Sequence, residues 1–231
     1  MTELDAYLAK HYLRAEQLAA AAALTVAQLD ALIAQQLAPM PAYEVSEGRL
    51  RSFVFGDLAA PSAVAGRFFP PAQLTWISLA QQARSSGNLE QAQAQLQQQF
   101  AARYGAALAT LNLTTWRLPD CFDDTGAAIA EGLRTRTDSA WRYFLNGAFS
   151  LCVANPVSEA HIATKEVLQE KLVHLSDDGS KTSYTAQELA LLPALIDAYA
   201  AAAMPFSPVE YAKSSRKRLV EDLRAKLPAV Q

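Results

Sequence analysis

Apolar residues crowd most densely between Asp138 and Leu175, in DSAWRYFLNGAFSLCVANPVSEAHIATKEVLQEKLVHL. The pattern predicts two helices joined by a short Asn155-Pro156 turn, because the residue before a proline is pushed out of the α region. The first opens at Thr137 or Asp138, either of which can cap the free amides of the first turn. Trp141, Phe144, Leu145, Ala148, Phe149, Leu151 and Cys152 then cover most of its circumference. Ser158 caps the second helix, Glu159 to Leu175, whose main apolar face carries Thr164, Val167, Leu168, Leu172 and Leu175. Helices apolar on most sides belong inside a domain. This pair is the predicted centre of the core.

Polar residues on the first helix form one narrow stripe of Ser139, Arg142, Asn146 and Ser150, at spacings of three, four and four. His161 and Lys165 lie one turn apart at the edge of the second helix's apolar face. One reading of these residues is a solvated edge on a core helix. The other is the wall of a pocket, since ligand sites are mostly apolar with a few placed polar groups. On that reading Arg142, Asn146, His161 and Lys165 are the candidate pocket residues. A lone histidine among apolar neighbours is more often structural than catalytic, so His161 does not decide the matter.

The same period predicts helices over 2–11, 14–23 and 26–36, the third opened by a Thr25–Gln28 capping box. Pro39 and Pro41 end it. Tyr43-Glu44-Val45 is extended, Glu47-Gly48 turns, and Leu50 to Phe55 alternates as a strand, so a β-hairpin follows. Residues 56–71, GDLAAPSAVAGRFFPP, read as a connector. The expected organisation is therefore a module over 1–56 and a helical domain over 57–231. Within that domain, Ala72 to Arg84 and the glutamine-rich stretch from Leu89 to Leu111 keep helical spacing. A loop spans Ser176 to Ser180, and a Thr185–Glu188 capping box opens a helix to about Ala203 that Pro193 should kink or divide. The last helix runs from Arg216 to about Leu227, capped by Ser214 or Ser215. The expected fold class is mainly α, with about nine or ten helices and one small N-terminal β-hairpin.

The run LRAEQLAAAAALTVAQLDALIAQQLAPMPAYEV resembles, in its spacing, the N-terminal winged helix-turn-helix of MerR-type regulators. That resemblance implies a DNA-binding module ahead of a ligand-sensing body. The chemistry departs from the family at the recognition helix, Val26 to Gln36, which holds no Lys or Arg and carries Asp30. Over residues 1–60 the cations are Lys10, Arg14, Arg49 and Arg51, against seven acids. DNA binders need cations to displace the counterions around phosphates. A helix-turn-helix shape used for packing or protein contact fits better, and nucleic acid is not the expected partner.

Composition narrows the class. At 231 residues, 51% hydrophobic with only nine glycines, the chain can bury a sizeable helical core. A net charge of −3 offers no broad attraction to nucleic acid. Cys121 and Cys152 make neither a disulfide framework nor a zinc spacing, which points to a reduced, cytoplasmic setting. The N-terminus lacks a signal-peptide pattern, and no stretch nears the roughly 20 apolar residues of a membrane span.

Candidate chemistry is sparse. No phosphate-binding glycine loop, dinucleotide fingerprint, nucleophile elbow or metal-binding histidine pair occurs, so no metal or cofactor is expected. Asp120, Asp123 and Asp124 lack the alternation of a calcium loop and read as turn formers and helix caps. In Lys213-Ser214-Ser215-Arg216-Lys217-Arg218, three cations occupy the first turn of the last helix, where the backbone dipole is positive. Solvent screening with Lys217–Glu221 and Arg218–Asp222 pairs is one account. The other is an anion site of Ser214, Ser215, Arg216 and Arg218, taking a phosphate or carboxylate from a small molecule or a carrier protein.

FLNGAFSLCVANPVSEAHIATKE and AMPFSPVEYAKSSRKRLVEDLR resemble, over most of the chain, an uncharacterised bacterial family labelled natural product biosynthesis protein. The resemblance implies association with biosynthetic pathways and transfers no reaction or catalytic residue. The leading expectation is a cytoplasmic accessory or small-molecule-binding protein of such a pathway, with catalysis undecided. The alternative is a ligand-responsive transcriptional regulator with an N-terminal DNA-binding module. A structural interaction protein is the third class.

Overall fold

Capping chemistry sets four of the described helix starts. Thr2, Thr25, Asn88 and Thr185 each accept from the amide three residues on, while the side chain at that position returns a bond to the cap. The computed structural model describes residues 1–227, and among these the chain is mainly α-helical. In order it forms α1 (Glu3–His11), β1 (Leu13–Arg14), α2 (Ala15–Ala21), α3 (Val26–Ala34), β2 (Tyr43–Ser46), β3 (Arg49–Ser52), β4 (Gly56–Ala59) and β5 (Gly66–Phe69). Then follow α4 (Gln73–Ser86), α5 (Leu89–Thr114), α6 (Ala130–Leu145), α7 (Ala148–Cys152), α8 (Glu159–Ser176), α9 (Ala186–Ala202) and α10 (Leu223–Lys226). A 3-10 turn, Tyr211–Lys213, and a π-helical stretch, Lys217–Asp222, precede α10. No single described helix is long and apolar enough to cross a membrane.

The expected hairpin is β2–β3, with Val45 opposite Leu50. It belongs to a larger antiparallel sheet in the order β1-β5-β2-β3-β4. The stretch read as a connector supplies β4 and β5, and the expected boundary after residue 56 falls inside the sheet. Four-residue strands such as GDLA and GRFF carry too little apolar alternation to be read as strands, yet β5 pairs with both β1 and β2.

Three apolar clusters hold the molecule together. The largest joins α2, α3, α4 and α5 to α6 and α8 through Leu18, Leu29, Ile77, Phe100, Trp141 and Phe144. A second packs α1 and the sheet against Leu151, Met204 and Phe206, and a third joins α8, α9 and the last helical segment. Polar pins tie segments distant in sequence to one another. Gln73 Nε2 donates to Pro39 O at 2.8 Å, Trp76 Nε1 to Pro156 O at 2.6 Å, and Met40 N to Leu145 O at 2.9 Å.

The central pair differs from its expected outline. The first helix begins at Ala130, well before Thr137, and ends at Leu145; α7 is a separate short helix. Gly147 breaks it at φ +76°, where a side chain would collide with the Met40 and Pro41 carbonyls. Pro193, expected to kink or divide its helix, lies inside an uninterrupted α9.

Candidate functional site

A cavity of about 450 Å³ between α5, α6, α7 and α8 gathers polar side chains. Gly132, Thr135, Arg136, Ser139, Ala140 and Tyr143 recur on one face of α6 and form its long wall. Tyr104 of α5, Phe149 of α7, Glu166 of α8 and Asp120 of the α5–α6 loop complete it. Gly132 makes the arrangement feasible, because a Cβ there would overlap the Asp120 carbonyl oxygen. The helix therefore sits directly on the loop, with Arg136 one turn beyond.

The loop itself is built from turn chemistry. Asp123 Oδ1 accepts from the Thr125 amide at 2.8 Å and the Ala127 amide at 3.0 Å, and Asp124 pairs with Arg117 at 3.2 Å. The turn-forming expectation suits Asp123. None of the three aspartates caps α6, whose first turn has no side-chain cap, and Asp120 faces the cavity instead. Buried Asn112 of α5 holds the near end of the loop, accepting from the Leu118 amide at 2.7 Å.

Arg136 is the central charge. It forks between Glu170 at 2.6 Å and Asp120 at 3.5 Å. Burial pulls its pKa down, but Glu170, with Tyr104 and Asp120, more than offsets this and holds it charged. Lys165 Nζ meets Glu166 at 2.9 Å; there too burial opposes the charge and the carboxylate outweighs it. Burial and the nearby Glu166 raise Tyr104, so its phenol stays protonated. The two cations lie deep, with side chains 18% and 5% exposed, while Asp120, Glu166 and Glu170 are 57%, 36% and 40% exposed. What the cavity presents outward is carboxylate oxygen. Aromatic groups form the rim: Tyr143, half exposed, stands 6.5 Å from the Phe149 ring and 6.0 Å, edge on, from exposed Phe53 at the β3–β4 tip.

None of the four pocket candidates lines this cavity, and Lys165 touches it only through Glu166, whereas Ser139 of the polar stripe and Asp120 do line it. Arg142 is exposed and Asn146 caps α6 by donating to the Arg142 carbonyl at 2.9 Å. His161 is exposed, 2.8 Å from Ser158 Oγ, and lines a separate cavity of about 340 Å³ with Asn155 and Thr164. The four do not share a pocket.

The anion candidates also part company. Ser214 does cap, accepting from the Lys217 amide at 3.0 Å. Ser215 accepts from the Tyr199 hydroxyl at 2.8 Å. Arg216 donates to the Ala200 and Ala203 carbonyls at 2.5 and 2.8 Å, closing the C-terminal end of α9. Arg218 pairs with Asp178 at 3.0 Å rather than with Asp222, which takes Lys217 together with Glu221. Arg216 turns to the α9 carbonyls and Arg218 to Asp178, so these groups do not converge on an anion.

Cys121 is completely buried, and burial with adjacent Asp120 raises its thiol to about 11; burial raises Cys152 to about 11 as well. Neither is a ready nucleophile at neutral pH.

The fold and site thus define a helical protein with a polar-floored, aromatic-rimmed cavity. Residues 96–228 match the family of unknown function DUF6058, and the chain belongs to that family. Every residue lining the cavity falls within the matched stretch. No curated protein and no solved structure matches the chain.

Proposed function

We propose that this protein binds a small organic molecule in the cavity between α5, α6 and α8, as an accessory protein of a biosynthetic pathway. The observation that carries the reading is Arg136, mostly buried at the floor of a cavity of about 450 Å³ and oriented from two sides by Glu170 and Asp120. That volume falls in the range of small-molecule sites, roughly 300–1,000 Å³. Its charge layout favours a ligand with a cationic nitrogen. The cations are already matched, the carboxylates are the more exposed partners, and aromatic faces attract cations. An anion would meet Asp120 and Glu166 first.

Thermal shift with 2-phenylethylamine and 2-phenylacetate tests this, using the parent, Asp120→Asn and Tyr143→Ala, both at accessible positions. The amine should stabilise the parent, by about 2.7 kcal/mol at a hundredfold excess over Kd. It should stabilise both variants less, and the acid should stabilise none. Equal shifts in all three proteins would place binding elsewhere.

The regulator reading has one observation in its favour: α2 and α3 meet at 96° across a four-residue connection, a helix-turn-helix angle. Against it, α3 exposes Ala27, Gln28, Ala31 and Ala34, and its Asp30 is tied to Arg67 of β5. Saturable DNA binding with a steep salt slope would favour this reading over an accessory role.

A further inference from the structure

Four of the five buried side-chain polar atoms without a partner among the described residues lie together, away from the cavity: Tyr7 Oη, Tyr12 Oη, Ser207 Oγ and Glu210 Oε2. Natively buried polar groups are overwhelmingly paired, so such a cluster calls for a cause. Glu210 is completely buried. The Tyr43 hydroxyl donates to its Oε1, and the Ser207 amide adds a weak bond at 3.3 Å. Facing it are Tyr7 of α1, Tyr12 at the end of α1, Tyr43 of β2 and Cys152 of α7. No cation forms an ion pair with Glu210 among the described residues.

The same segment is strained. Phe206 takes φ +63°, a conformation costly for a bulky residue, and is held there by burial and by the Phe55 ring, edge on at 5.8 Å. Met204 and Phe206 supply the segment's apolar hold on α1 and the sheet. One short stretch therefore combines a strained backbone, unpaired polar atoms and an uncompensated carboxyl.

We propose that Met204–Glu210 is a proton-operated strap, closed on α1 and β2 while Glu210 is neutral and released when Glu210 gives its proton to solvent. The closed state tolerates a neutral acid beside three phenols. An ionised carboxylate there has Tyr43 and the weaker Ser207 contacts as donors and no ion-paired cation, whereas a lifted strap lets water solvate both oxygens. Burial accordingly holds Glu210 above the ordinary carboxylate value in the closed form, Tyr43 and Ser207 offsetting part of that rise. Release becomes easier with rising pH, from the ordinary carboxylate value up to the closed-state value, and then levels off.

Hydrogen exchange of the full chain between pH 4 and 9, corrected for intrinsic rates, tests the strap through peptides spanning 203–213, with α5 as internal reference. Protection should fall by about tenfold per pH unit within that window, as one released proton requires, while α5 stays constant. Glu210→Gln should abolish the dependence. Tyr43→Phe, which removes the donor that stabilises the ionised form, should extend the fall to higher pH. It also serves as the test should Glu210→Gln fail to fold. Flat protection in the parent, the same slope in Glu210→Gln, or an unmoved plateau in Tyr43→Phe would overturn the proposal.

Discussion

Arg136 shows how one side chain joins stability to the site. It is the more buried partner of two carboxylates, so its removal strands Glu170 and Asp120 at a partly dry wall. Arg136→Ala should cost about 1–3 kcal/mol, between an exposed pair and a fully buried one, measured by urea unfolding. Glu170→Ala, removing the more exposed member, should cost less; the reverse order would mean that Arg136 is better solvated than its burial indicates. Cysteine chemistry belongs to this scale too. With both thiols raised to about 11, labelling by iodoacetamide at pH 7 should be slow, and Cys121, completely buried, should react only when the protein unfolds. Rapid labelling of Cys121 in the folded protein would show that the α5–α6 loop opens.

At the scale of elements, α6 and α8 carry both the core and the cavity wall. Phe144 and Leu168 are both buried, so Phe144→Ala should cost about 3–5 and Leu168→Ala about 2–5 kcal/mol from lost burial and the cavity left behind. Unfolding midpoints equal to the parent's would show that the core lies elsewhere. Much of this framework was legible in the sequence, because a capping box and a 3.6-residue period are local signals. The Thr25 and Thr185 caps, the glutamine-rich α5 and the placement of Phe144 and Leu168 all came from such patterns. The end of α6 did not, since apolar spacing continues across Asn146-Gly147 and only contact with Met40 and Pro41 fixes the break. Nor did β4 and β5, whose pairing is decided across the sheet. The site was the least legible part. Arg136 finds Asp120 and Glu170 at separations of 16 and 34 residues, and Arg216 finds its carbonyls on another helix. The one available signal was Gly132, a helix glycine four residues before an arginine that shares its face.

For the molecule as a whole, the N-terminal part is built into the body by two apolar clusters and by the Gln73–Pro39 and Met40–Leu145 hydrogen bonds. Limited proteolysis should therefore release no stable fragment ending near residue 60, where a cut would divide the sheet. Its response to pH combines opposed groups. Glu188 and Glu221, held down by hydrogen bonds from Lys181 and Tyr211, contribute stability that is lost as pH falls through their lowered values. Glu159 and Glu210, raised by burial, contribute stability present in acid and lost as pH rises through their raised values. Thermal midpoints should peak on the acid side of neutrality, and Glu210→Gln should flatten the decline toward alkaline pH. Binding in the cavity between α5, α6 and α8 can be read residue by residue from an amide chemical-shift map during titration with 2-phenylethylamine. Saturable shifts should concentrate at Tyr104, Asp120, Arg136, Tyr143 and Glu166; shifts confined to the separate cavity at His161, or none that saturate, would contradict it.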